Sequence, residues 1–93
     1  MKPSVCEQIV VELFVLGQSA QSRDALEVVR RVCAARLGSA WRLEVIDIQQ
    51  QPERMRAAGI VATPTLVRRQ PEPVLCTIGR LTEERVAAGL GLD

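Results

Sequence analysis

The chain has 93 residues, 12 of them basic and 11 acidic, and 47% are apolar. This is the composition of one small globular domain, 1–93, and its near-neutral charge provides no long-range field toward nucleic acid or an anionic membrane. One Trp, one Phe and no Tyr leave no platform for stacking bases. The longest apolar run, 9–17, contains Glu12 and is too short for a signal peptide or a membrane span, so the expected location is the cytoplasm. There the three cysteines would be reduced.

Residues 8–16, "QIVVELFVL", are β-branched and apolar almost throughout, the pattern of a strand buried on both faces and hence central in a sheet. Gly17 ends it. "QSAQSRD" follows as a loop, with Ser19 or Ser22 as the candidate N-cap of a helix. From Asp24 to Leu37 the apolar residues Leu26, Val29, Cys33 and Leu37 recur at helical spacing, and Glu27 can pair with Arg31 on the outer face. Gly38 stops this helix. "WRLEVIDI", 41–48, alternates Trp41, Leu43 and Val45 against Arg42 and Glu44, which predicts a second strand, parallel to the first through a right-handed crossover. "QQQPERMRAAG" predicts a short helix with Pro52 in its first turn. Residues 61–69 form the third predicted strand, entered through Pro64. "QPEP" is a turn, and 74–78 the fourth strand. Thr82 caps a last helix with Glu83 and Glu84 in its positive first turn. The order is β-α-β-α-β-β-α.

"IVATPTL", 60–66, raises the functional question. A strand that begins at a Thr-Pro step after one βαβ unit resembles the thioredoxin fold, which usually carries Cys-x-x-Cys after its first strand. Here Ser19 and Ser22 have that spacing. A serine hydroxyl cannot cycle through a disulfide and is not ionised near neutral pH. Cys6 precedes the first strand, Cys33 lies on the apolar stripe of the first helix, and Cys76 sits inside the fourth strand. The latter two read as packing residues. Cys6 reads as a residue near a terminus, with a regulatory thiol as the secondary reading. The chain has no histidine, which excludes Ser-His and Cys-His pairs, and its cysteines are not grouped at metal spacing. No cofactor or metal is expected. Asp47 reads as an acid at a strand end that bonds neighbouring backbone, ahead of a buried functional acid. Ser22 and Thr82 read as caps rather than nucleophiles. Arg68 and Arg69 read as a solvated strand end, with partner contact as the lesser alternative.

Several segments are similar to the KaiB family. "LFVLG" (13–17), "SRDAL" (22–26), "LEVIDI" (43–48), "QQPE…IVATPTL", "PEPV", "IGRL" and "GLGL" follow the family's segments in order from Ile9 to Leu92. The resemblance implies a non-catalytic adaptor that docks on the N-terminal ring of a KaiC-type ATPase. There it displaces the kinase SasA and then captures KaiA or CikA. It implies two folds: a monomeric thioredoxin-like form with Thr63–Pro64 cis, and a tetrameric β-α-β-β-α-α-β ground state in which the "ATPTL" region is helical. "VAAGLGLD" is a poor strand, so the thioredoxin-like form is expected to dominate. The partner-contact candidates are Ser22, Arg23, Trp41, Arg42, Glu44, Arg68 and Arg69. Departures from the family pattern reverse charge at Asp24, Glu44 and Arg80, and remove it at Cys76 and Gly91. They direct the expectation away from KaiA and toward a KaiC-type partner with a compensating surface. Two further readings stand beside this one: a thiol-dependent enzyme using Cys6 or Cys33, and a SasA-like sensory domain. The latter is normally joined to a histidine kinase, and none follows up to Asp93.

Overall fold

The apolar run at the start of the chain becomes the one strand with a long neighbour on each side. The computed structural model describes residues 8–92. In chain order these are β1 (Ile9–Val15), α1 (Ala20–Leu37), β2 (Trp41–Asp47), α2 (Pro52–Ala57), β3 (Thr65–Gln70), β4 (Leu75–Ile78) and α3 (Glu83–Gly89). The sheet runs β2-β1-β3-β4. β1 is parallel to β2 and antiparallel to β3, and β4 pairs antiparallel with β3. This is the expected β-α-β-α-β-β-α order, a thioredoxin-like fold.

Strand alternation divides the interior in two. Val11, Leu13 and Val15 of β1 meet α1 and α3 through Val29, Cys33, Val86 and Leu90. Phe14, Ile46 and Val67 face the other way and are covered by α2 and the following loop through Met55, Ala58 and Ile60. The second layer is thinner. A helix of six residues shields the β1–β2 half of that face and leaves β4 uncovered.

Three local expectations are corrected. α1 starts at Ala20 rather than at Asp24, because Ser19 is the N-cap and places Ser22 inside the first turn. β3 begins at Thr65 rather than residue 61, because Thr65 Oγ1 donates to Ala62 O at 2.6 Å and closes a turn around 62–65. The Thr63–Pro64, Gln70–Pro71 and Glu72–Pro73 bonds are cis. Cys76 is exposed rather than packed, since it points to the uncovered part of the sheet.

Arg68 differs most from its expectation as a solvated strand end. Its side chain lies on the α1/α3 face and is only 8% exposed. Its guanidinium donates to Leu90 O at 3.0 Å and to Pro73 O at 2.8 Å. It therefore ties the end of α3 and the 71–74 turn to β3. Arg69, one residue on, faces the opposite layer and donates to Glu12 at 2.8 Å.

Candidate functional site

The loop from β1 to α1 occupies the place of a redox pair. Gly17, with a positive φ of 62°, donates its N–H to Asp47 Oδ1 at 3.1 Å, and Gln49 N–H reaches the same oxygen at 2.9 Å. Asp47 is thus the strand-end acid that bonds backbone. Ser19 Oγ accepts from Ser22 N–H at 3.1 Å, the two hydroxyls are 3.0 Å apart, and Ser22 Oγ donates to Leu16 O at 3.1 Å. Both hydroxyls are committed to holding the helix entry, with no base beside them to raise their nucleophilicity.

Pro64 faces this entry across a cleft of about 430 Å³ whose walls carry Asp24, Glu27, Arg31 and Arg80. Arg31 pairs with Glu83 at 2.7 Å and more loosely with Glu27 at 3.6 Å. The cleft is charged, and among the described residues no thiol lines it. Cys33 is 0% exposed, and burial pushes its thiol up to about 11, away from the thiolate needed for exchange. Among the described residues no group of His, Cys, Asp and Glu could hold a metal ion. Cys6 lies outside the described residues.

A second surface runs along β2, which is an edge strand. Arg42 and Glu44 are exposed there, and Trp41 is half-buried with Nε1 donating to Gly38 O at 2.8 Å. Glu44 stands beside Glu12 in the parallel register, and Arg54 of α2 bridges the two carboxylates, at 3.0 and 3.3 Å. Arg69 completes the chain on Glu12 at 2.8 Å. The hydrogen bond from Arg54 holds the Glu44 carboxyl below the usual range, with the Arg54 and Arg42 charges adding to it and its slight burial opposing.

Of the contact candidates named from sequence, Arg23, Arg42 and Glu44 are exposed, and Trp41 and Arg69 are half-buried. Ser22, at 8% exposure, and Arg68 are buried, and both use their polar groups within the fold. The sequence reading missed the Glu12–Arg54–Glu44 bridge and the Arg31 and Arg80 walls of the cleft. Arg54 lies 42 positions from Glu12 and 10 from Glu44, and Arg31 lies 52 from Glu83, each pair joining two different elements, so no local pattern announces them.

The family model described as the KaiB domain matches residues 12–91. The chain belongs to the KaiB family. It is 35% identical over 86 residues to circadian clock protein KaiB3 of Synechocystis sp., covering 91% of this chain and 84% of the relative. It is 37% identical over 84 residues to circadian clock oscillator protein KaiB of Synechococcus sp., covering 89% and 76%. In fold it is similar to the N-terminal domain of Synechococcus elongatus SasA, with a TM-score of 0.82 at 23% identity, covering 97% of this chain and 86% of that one. It is also similar to chloroplastic thioredoxin z, with a TM-score of 0.73 at 18% identity, covering 91% and 77%. These two likenesses concern fold alone. This KaiB-family chain has no helix, among its described residues, long and apolar enough to cross a membrane.

Proposed function

We propose that the protein is a non-catalytic, cytoplasmic adaptor of a KaiC-type ATPase in circadian or clock-like regulation. The observation that carries the reading is the Ser19–Ser22 lock at the redox corner of a KaiB-family chain. The fold keeps the thioredoxin frame and its Pro64 cleft, while both hydroxyls serve the helix cap. A frame without exchange chemistry is useful as a shaped, charged surface. Arg23, Arg42 and Glu44 offer exposed charge for that contact, and Trp41 and Arg69 lie at its margin. The shared shape with the SasA domain supports competition between the two for one ATPase surface. The reversed charges at Asp24, Glu44 and Arg80 argue against KaiA as the captured partner and leave CikA beside it as the alternative.

Size exclusion with the cognate KaiC homologue, in both phosphorylation-mimic states, tests this. The expected outcome is co-migration in at least one state, weakened by Arg42→Glu. No co-migration in either state sinks the adaptor reading. The thiol-enzyme reading predicts disulfide reductase activity that disappears in a cysteine-free variant, and the expected activity is none.

A further inference from the structure

Three charges reverse the KaiB-family pattern, Asp24, Glu44 and Arg80, and the fold treats them differently. Glu44 is answered within the chain, by Arg54 at 3.0 Å. Asp24 and Arg80, distant in sequence and opposite in sign, line one cleft of about 430 Å³. Asp24 comes from the second turn of α1 and Arg80 from the turn between β4 and α3. The other charged residues of the cleft are already engaged, since Arg31 holds Glu83 at 2.7 Å and Glu27 at 3.6 Å. Among the described residues neither Asp24 nor Arg80 has an ion-pair partner, and both are exposed. Their backbones are nevertheless fixed. Asp24 stands in a helix capped by Ser19. Arg80 O accepts from Arg85 at 2.7 Å, and Gly79 before it donates to Pro64 O at 2.9 Å. The cleft thus presents two opposite charges on held backbone, with Ala25, Pro64 and Leu81 as its buried apolar floor.

We propose that this charge pair decides which ATPase the protein accepts: the partner's docking segment brings a basic side chain to Asp24 and an acidic one to Arg80, over an apolar floor. The proposal rests on the adaptor reading above and adds the sense of charge at one of its contacts. Both positions carry the opposite sign in the family pattern, so the cleft keeps a pair of charges and inverts its polarity. A single reversal would leave one end of the contact matched. Two reversals on one cleft turn it round as a unit. A partner fitted to the family pattern then meets like charge at both ends, which rejects it more strongly than the loss of a contact would. The occupant is a segment of a protein, because Asp24, Glu27, Arg31 and Arg80 are all exposed and only the floor is buried. A small ligand in so open a cleft would remain largely wet, whereas a partner's surface brings its own cover.

Binding of the full chain to two ATPases tests this: the cognate KaiC homologue, and the KaiC partner of a relative that has Arg and Asp at the positions matching 24 and 80. Wild type should prefer the first. Asp24→Arg and Arg80→Asp should each weaken cognate binding about three- to tenfold, chiefly through the on-rate and less so in high salt. The double variant should lose about ten- to a hundredfold on the cognate ATPase, since the two sites act separately, and gain on the second. Both side chains are exposed, so the thermal midpoints of the four chains should agree. If Asp24 and Arg80 answered each other within the chain, the double variant would recover cognate binding, and that result overturns the proposal. So does cognate binding by wild type that all the variants retain, or a double variant that gains nothing on the second ATPase. A wild type that binds no cognate ATPase in either phosphorylation-mimic state overturns the adaptor reading and this proposal with it.

Discussion

Arg68 carries a charge into the α1/α3 layer and holds it there through two carbonyls, Leu90 O and Pro73 O. Arg68→Met keeps much of the stem's packing but leaves both carbonyls without their donor. The expected loss is about 2–4 kcal/mol, at the upper end for a buried charged hydrogen-bonding group. Arg68→Lys should recover only part, because one ammonium does not span the fork of a guanidinium. Urea midpoints measure both, and an unchanged midpoint in the Met variant would show that the clamp contributes nothing. The thiols separate just as clearly. With Cys6 replaced by Ser, a maleimide should label Cys76 on the native protein and leave Cys33 unmodified until unfolding. Cys33 is enclosed and its thiol is pushed up to about 11, whereas Cys76 is exposed. Peptide mapping decides this, and equal labelling of the two would contradict the burial of Cys33.

At the scale of elements, α2 is the weakest part of the frame. It has six residues, no buried member and no side-chain N-cap, so it depends on Met55, Ala58 and the Arg54 bridge. Arg54→Ala leaves Glu12 and Glu44 as adjacent like charges on neighbouring strands, which is unfavourable in itself. The expected result is a lower unfolding midpoint and faster amide exchange in 52–58, with the difference from wild type shrinking in high salt. The sign of the pH effect follows from Glu44. Its folded pKa is lowered, so its contribution is complete above the ordinary carboxylate value and is lost as pH falls through the lowered one. The wild type should therefore lose its advantage over Arg54→Ala in acid, and an advantage that persists at low pH would exclude the bridge as its source.

For the whole molecule, the closing contact is between α3 and the β3–β4 hairpin. Gly89 packs so tightly there that a Cβ would collide with Thr77 Oγ1 and approach Leu66. Gly89→Ala should destabilise the thioredoxin-like form by about 1–3 kcal/mol, the usual range for overpacking. Thr77→Ala in the same chain should return part of that loss, because the two residues share one space. Thermal melts of the four chains give the coupling directly, and strict additivity would mean that the collision is relieved elsewhere. The glycines that weaken 86–93 as a strand thus have a second role, since one of them lets the last helix close on the sheet.

Much of this architecture was legible along the chain because its causes are local. A run that is apolar in all but Glu12, and rich in β-branched residues, marks β1 as central, since both of its faces are largely apolar. The stripe through Val29 and Cys33, with a serine before it and Gly38 after it, defines α1 to within a turn. Thr82 followed by two glutamates marks the start of α3. The motifs in "EVIDI", "ATPTL" and "PEPV" carried the family. The fate of single polar side chains was not legible, because a strand's period says which face a residue is on and not what covers that face. Arg68 and Arg69 read as one solvated pair, but alternation sends Arg68 under α3 and Arg69 to Glu12. Cys76 alternates like a core residue, yet α2 is too short to reach β4, so it meets solvent. Arg54 becomes a bridge only once parallel pairing sets Glu12 beside Glu44. Backbone preference and periodicity act over a few residues and are written in the sequence. Burial and ion pairing depend on which elements end up opposite one another, and only the tertiary structure decides that.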